Sequence, residues 1–214
     1  DLTGHNDGNV VAEDWTNEYI QLDGKDDWIN LGQMSFRTNQ VTLDLTTMIL
    51  SKPSKNTTLI GNLESGGVAL GLTTDLKPTM QINVGGTYYK AVSSSAISLN
   101  QKVHVLGVYD GTNIMIFVNG QLTGKTAQTG AIKEPGKSTV MSIGSNPSGN
   151  SAGIEFTNMR VYMAHIYDKA YWDVSEKGDN SILAWTVNGN GSGTKKVYIA
   201  SKGNIYANAN ASYM

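Results

Sequence analysis

The sequence predicts an all-β sandwich of antiparallel strands, and three observations carry that prediction. β-Type runs at residues 58–62, 68–73, 79–84 and 87–92 recur at intervals of about ten residues, the spacing of short strands joined by tight turns. Glycine supplies 24 of 214 residues and charged residues only 16%, as a chain with many turns and much covered strand surface requires. Residues 102–125 (KVHVLGVYDGTNIMIFVNGQLTGK) read as a meander of three runs, 103–109, 114–118 and 121–123, divided by Asp110-Gly111-Thr112-Asn113 and by Asn119-Gly120. Asn-Gly between apolar runs predicts a type I′ hairpin, because both residues tolerate positive φ.

Strand alternation sorts the meander into faces. Val103, Val105 and Tyr109 share one side, His104, Leu106 and Val108 the other, and in the next strand Met115 and Phe117 oppose Ile114, Ile116 and Val118. Both faces are apolar, so these strands are central in a covered sheet or lay their second face on a ligand or partner.

Composition narrows the class of function. A net charge of −2 with scattered basic residues offers no footprint for nucleic acid. No apolar run approaches the roughly 18 residues of a spanning helix, so membrane insertion is not expected. The absence of cysteine excludes disulfides and thiolate metal sites but leaves the compartment open. The chain starts at Asp1 rather than Met, which suggests a processed chain or an excised fragment.

Taken in order, residues 1–8 (DLTGHNDG) form a loop dense in turn formers and oxygen ligands. Asp1 and Asp7 with backbone carbonyls could hold calcium, or the same residues could bond their own backbone in a polar turn. Residues 18–31 read strand, acidic turn, strand, and Asp23, Asp26 and Asp27 in the turn admit the same two readings. The run 41–50 places Val41, Leu43 and Leu45 on one face and Asp44 opposite, where neighbouring threonines could satisfy it. A Lys, Pro and Ser loop at 51–57 precedes the evenly spaced strands. Tyr88 and Tyr89 must point to opposite faces, so one enters the core and the other is left to stack or meet solvent. Residues 139–143 read as a strand, 144–153 as a polar loop suited to a binding rim, and 154–167 as a long strand region. The run 168–179 allows a short helical turn. In the tail, 182–187 is strand-like, and 197–200 with 204–206 suggests a hairpin.

Four ordered motifs resemble the concanavalin A-like lectin/glucanase superfamily in its laminin-G-like form. Residues 1–8 resemble the family opening D-x-S-G-N-x-N-D-G, and residues 22–31 (LDGKDDWINL) resemble its hairpin F-D-G-x-D-D-Y-V-x-(I/L). Residues 104–120 resemble W-x-H-V-A-x-x-Y-D-G-x-x-x-x-(I/L)-Y-V-N-G, and residues 166–170 (IYDKA) resemble R-I-Y-(N/D)-R-A-L. The resemblance implies a jelly-roll β-sandwich of two antiparallel sheets over residues 1–180, with residues 181–214 as a strand and hairpin extension packed on the same domain. Two features depart from the family: the strand that usually precedes the opening is missing, and the chain continues well past the last motif. Two accounts are open: the strand around Trp185 fills the missing position, or the missing piece has been cut away.

Relatives of this fold include glucanases, which need paired carboxylates. The glucanase strand signature E-x-D-x-E is absent, and no two of Glu13, Glu18, Glu64, Glu134, Glu155 and Glu176 are suitably spaced in an expected strand. Gly149-Asn150-Ser151-Ala152-Gly153 matches the hydrolase elbow G-x-S-x-G but lies in a polar loop, not between a strand and a helix. His104 lies on a covered strand and reads as a hydrogen-bonded core histidine, and His5 and His165 lack zinc-ligand spacing. No enzymatic activity is therefore expected.

Sugar binding asks for aromatic faces and fixed polar groups on loops. The candidates are Trp15, Tyr88, Tyr89 and Trp172 with Asn146 and Asn150, while Trp28 is expected to pack. The expected function is a non-catalytic carbohydrate-binding module facing a cell-surface glycan or polysaccharide, with structural calcium at the acidic turns. Its expected place is extracellular, at a cell surface or on a virion. The alternative is an adhesion module of a larger assembly, such as a phage tail or bacterial surface protein, working through protein contacts or as a homo-oligomer. A glycoside hydrolase ranks third.

Overall fold

The computed structural model describes residues 9–11, 14–15, 18–36, 39–136, 138–168, 171–173, 182–188 and 195–201. For residues 9–11, 14–15 and everything from 171 onward it is the backbone course that is described. In chain order the strands are β1 (Asn9–Val11), β2 (Asp14–Trp15), β3 (Ile20–Asp23), β4 (Trp28–Asn30), β5 (Val41–Ile49), β6 (Thr57–Gly61) and β7 (Val68–Leu72). There follow β8 (Pro78–Val84), β9 (Thr87–Val92), β10 (Lys102–Tyr109), β11 (Asn113–Val118), β12 (Gln121–Ala127) and β13 (Ser142–Ile143). The last are β14 (Asn146–Ser148), β15 (Ser151–Ile154), β16 (Asn158–Tyr167), β17 (Tyr171–Asp173), β18 (Ile182–Asn188) and β19 (Lys195–Ser201).

Two seven-stranded antiparallel sheets hold most of these, in the orders β1-β4-β13-β6-β7-β8-β9 (sheet I) and β12-β11-β10-β5-β16-β3-β2 (sheet II). The chain's contacts cluster into two compact units, 1–169 and 170–214. Strands β17, β18 and β19 make a three-stranded sheet of their own. The account in which the strand around Trp185 replaces a missing strand of the sandwich is thereby overturned: its backbone bonds go to Tyr171–Asp173 and Lys195–Ser201. Residues 171–173, where a helical turn was allowed, are extended for the same reason. The proposed second arm of the tail hairpin, 204–206, lies outside the described residues.

Alternation makes the core. Leu43, Leu45 and Ile49 of β5, Val105 and Tyr109 of β10 and Ile114 and Ile116 of β11 point from sheet II onto Ile60, Leu70, Leu72, Met80 and Ile82 of sheet I, all fully buried. At Gly107 the sheets come so close that a Cβ would lie 2.7 Å from Met80 Sδ and 2.9 Å from Leu70 Cδ1. The expected hairpin is present: Asn119 (φ 49°) and Gly120 (φ 78°) both take the left-handed conformation between β11 and β12.

The other turn of the meander is tied by Asp110. Its Oδ1 accepts the Thr112 N–H (2.8 Å), Thr112 hydroxyl (2.7 Å) and Asn113 N–H (2.6 Å), and Oδ2 accepts Asn113 Nδ2 (3.3 Å). Burial alone would raise this carboxyl, but the four contacts outweigh it and hold it below the usual carboxylate value. A depressed folded-state value stabilises the fold above the unfolded-state value of about 3.9, and that contribution is lost as pH falls through the folded value. Asp110→Ala is therefore expected to cost about 1–2 kcal/mol at neutral pH and to flatten the acid limb of stability, measured by denaturant unfolding at stepped pH.

Sheet II has a second covered face. Across it run Phe117, Leu106, Asp44 and His165 in one row, with Met115, Val108, Thr42 and Tyr167 in the next. Leu106 and Val108 are only 3% and 2% exposed. Asp44, fully buried, is reached by two imidazoles: His104 Nε2 lies 2.7 Å from Oδ1 and His165 Nδ1 3.5 Å from Oδ2. Local sequence gave no sign of these two partners, because it is strand pairing that brings β10 and β16 to either side of β5.

Along one flank the sheets clasp each other. Ser94 N–H donates to the Thr123 carbonyl (2.7 Å) and Thr126 Oγ1 to the Lys90 carbonyl (3.0 Å), joining edge strand β12 to β9 and the segment after it.

Candidate functional site

The outer face of sheet I is built from small residues. Pairing aligns Thr58 with Gly71, Gly61 with Ala69, Gly71 with Thr79 and Ala69 with Gln81, while the alternate residues Leu70, Met80 and Ile82 enter the core. Glycine, alanine and threonine side by side leave a trough where larger side chains would have filled the surface. A Cβ on Gly61 would collide with the Ala69 Cβ, so the floor cannot be raised without moving a strand.

Larger groups wall the trough. On β9, Tyr88 and Lys90 stand opposite Asn83 and Gln81, and Tyr88 is 43% exposed. At the other side are Asn56, Glu155 and the β14–β15 hairpin with Asn146. The expected polar loop at 144–153 is this hairpin, turned at Gly149 (φ 59°) and Asn150. Its short polar arms lack an apolar alternation, and hence a strand signal. The volume of the open trough is about 360 Å³, within the roughly 300–1,000 Å³ of small-ligand pockets.

The polar groups are disposed for a ligand. Among the described residues the side chains of Gln81, Tyr88, Lys90 and Glu155 have no hydrogen-bond or ionic partner. Asn146 Oδ1 is buried and unpaired, and a buried acceptor without a donor is a place where a ligand hydroxyl or a water belongs. By contrast the threonines beneath are satisfied: Thr57 Oγ1 donates to the Glu155 carbonyl (2.6 Å), and Thr157 Oγ1 to the Thr58 carbonyl (2.8 Å).

Of the residues singled out from sequence, Tyr88 and Asn146 come together in this trough. Tyr89 turns to the opposite face and packs on the core. Asn150 is exposed and accepts a hydrogen bond from Asn30 Nδ2 (3.1 Å). Trp15 and Trp172 lie on β2 and β17, outside the residues whose side chains are described. Sequence reading did not single out Gln81, Lys90, Asn56 or Glu155 as ligand contacts. Lys90 could have been found from its spacing of two after Tyr88, which puts both on one strand face.

Asp23, Asp26 and Asp27 converge, each offering a carboxylate oxygen within 4.8 Å of the others. Their chemistry fits a turn that ties itself. Asp23 Oδ1 accepts the N–H of Lys25 (2.7 Å) and of Asp26 (3.4 Å), Asp27 Oδ2 accepts the Asp23 N–H (3.0 Å), and the Lys25 ammonium lies 3.7 Å from Asp23 Oδ2. Burial pushes the Asp23 carboxyl up, but these backbone donors and Lys25 outweigh it and leave it below its usual value. Calcium takes about six to eight oxygens, so three carboxylates, one beside a lysine, would leave much of its shell to water. Asp1 and Asp7 lie outside the described residues.

Comparison with known proteins follows the fold. No curated protein matches the chain in sequence. Among solved structures, Trypanosoma rangeli sialidase in complex with sialic acid is similar at 16% identity and a TM-score of 0.56, over 77% of this chain and 27% of that one. The CBM40 of Ruminococcus gnavus IT-sialidase, bound to alpha2,3 sialyllactose, is similar at 14% identity and a TM-score of 0.55, over 72% of this chain and 91% of that one. The binding domain of botulinum neurotoxin DC, in complex with SialylT, is similar at 16% identity and a TM-score of 0.55, over 76% and 41%. At these identities the likeness is one of fold, and the chain spans about a quarter of the sialidase's length. The profile of the concanavalin A-like lectin/glucanases superfamily matches residues 23–173, which hold nearly all of both sheets and the trough between Tyr88 and Asn146. On that match over most of its length, the chain belongs to the concanavalin A-like lectin/glucanases superfamily.

Proposed function

We propose that this chain is a non-catalytic carbohydrate-binding module and that the trough on sheet I is its glycan site. The observation that carries the reading is the trough itself: a rigid floor of small residues, one exposed aromatic ring, and unpartnered amide, ammonium and carboxylate groups around it. A pyranose stacks an apolar ring face on an aromatic side chain and spends its hydroxyls on fixed polar groups, and the trough offers both. Two of the similar folds are binding modules whose ligands carry sialic acid, which supports a glycan as the class of partner and makes α2,3-sialyllactose a natural member of the first panel.

Hydrolysis has less support. Retaining and inverting glycosidases place two carboxyl groups about the scissile bond, whereas among the described residues lining the trough Glu155 is the one carboxylate. The Gly149–Gly153 segment, which matches the hydrolase elbow, is a hairpin turn and its following strand, without the helix that a nucleophile elbow needs.

The test is binding of the purified chain to a broad glycan and wall-polysaccharide array, in calcium and again in excess chelator. Saturable binding to one glycan class is the expected result. Retention of that binding in chelator would leave Asp1 and Asp7, and Asp23, Asp26 and Asp27, as turn residues, and its loss would make one or the other set calcium ligands. Release of reducing sugar from the bound glycan would overturn the non-catalytic reading.

A further inference from the structure

A second groove, of about 410 Å³, opens at one end of the sandwich between the loop 51–55, the turn at Asp23 and Gly24, and the segment 153–158. Lys52 and Lys55 stand exposed on its loop wall, and neither has an ionic or hydrogen-bond partner among the described residues. Neither acid of the lining, Asp23 or Glu155, pairs with them. Asp23 is occupied by the N–H groups of its own turn and by Lys25. Ile154, 58% exposed, supplies an apolar lip.

This groove adjoins the trough, and Thr57 and Glu155 line both. Glu155 at the junction is held in the left-handed conformation (φ 66°), rare for a residue with a side chain. Two donors fix it there: Thr57 Oγ1 at 2.6 Å and the Thr58 N–H at 3.5 Å both reach its carbonyl. A strained residue clamped by its surroundings and set between two concavities is the pattern of a ligand-positioning element. Its carboxylate has no partner among the described residues and is free to accept a ligand hydroxyl.

Resting on the trough as the glycan site, we propose that the second groove takes an acidic unit of the same glycan, so that the ligand class is an oligosaccharide bearing a carboxylate or sulfate ester. Lys52 and Lys55 hold the anion, Glu155 orients the sugar that crosses the junction, and Tyr88 stacks on a neutral ring in the trough. Two exposed ammonium groups without an ionic partner among the described residues gain most from an anion that arrives already tethered to a bound ring, since the second contact is then intramolecular.

The experiment is titration of the full chain, and of its K52A/K55A and Y88A variants, on neutral oligosaccharides and their acid-bearing counterparts. The set includes lactose with 3′-sulfolactose, and galactotetraose with tetragalacturonate, so that sulfate and carboxylate are read separately. The acidic members are expected to bind at least about tenfold more tightly at roughly 50 mM salt, with the preference shrinking as salt is raised. K52A/K55A is expected to remove that preference and leave neutral binding unchanged, whereas Y88A lowers both. Both lysines are exposed, so the variants keep the fold, and a melting curve verifies it. Equal binding of neutral and acidic members, or an acidic preference that survives K52A/K55A, overturns this inference and leaves the trough reading standing. Full binding by Y88A overturns the trough reading, and absence of binding to every member at millimolar concentration overturns both.

Discussion

Tyr88→Ala is expected to weaken glycan binding by about thirtyfold, or ~2 kcal/mol, while the melting temperature stays within about two degrees of the parent. The ring is 43% exposed and stands on the outer face of β9, so folding gains little from it. Everything it offers is offered to a ligand. Tyr88→Phe is expected to keep most of the affinity, because the stacking face survives and the hydroxyl has no protein partner to lose. Tyr89→Ala should show the reverse pattern, a lower melting temperature with the ligand affinity of the remaining folded protein unchanged, since that ring packs on the core. Isothermal titration beside a thermal melt separates the two. A Tyr88→Ala protein that binds as tightly as the parent would place the glycan elsewhere.

Gly67→Ala is expected to destabilise the fold by about 3 kcal/mol, lowering the melting temperature by roughly 6–12 °C for a chain of this size. Two independent costs add at this position. Gly67 has φ +80°, where a Cβ is strained by about 1–2 kcal/mol. The same Cβ would collide with the Asn62 carbonyl oxygen and lie 2.5 Å from Asn62 Oδ1. Asn62 cannot retreat freely: it is fully buried, its Oδ1 accepts the Val68 N–H at 2.9 Å, and its own N–H donates to the Val68 carbonyl at 2.9 Å. Gly67 itself donates to the Lys133 carbonyl (2.7 Å) and accepts from the Asn83 N–H (2.9 Å). This turn starts β7, whose Ala69 and Gly71 floor the trough, so the variant is expected to lose glycan affinity along with stability. Gly85→Ala makes the control, for it also has positive φ but open space around the added carbon. It should cost about 1 kcal/mol.

The sandwich was legible wherever the information is local. Asn119-Gly120 specifies its own turn, and the alternation in 103–118 sorts core residues from outer ones without knowledge of any partner strand. Opposite orientation of Tyr88 and Tyr89 follows from the same parity. Which of the two faces the ligand does not, because that depends on whether β9 lies with Met80 or with Gln81 on its inner side, a matter of register with β8. The trough was invisible for the same reason on a larger scale. Gly61, Ala69, Gly71 and Thr79 come from three strands, and only their pairing makes them one floor. Asp44 shows the limit most plainly: its local neighbours are threonines, yet two histidines reach it, one of them from β16, far along the chain. The hairpin at Asn146–Ile154 escaped because its arms carry no apolar period, its stability coming from the sheet it folds over rather than from its own sequence.

The clasp between the edge regions at β9 and β12 bears on how many copies of this protein can stand side by side. A bare strand edge is a template on which a second chain can add by backbone pairing, and such addition is open-ended. Here the Lys90 and Thr123 carbonyls are already engaged across the corner, by Thr126 Oγ1 and the Ser94 N–H. The flank next to the Tyr88 wall therefore has fewer groups with which to recruit another copy, and crowded molecules can keep their troughs open without growing into fibres from that side.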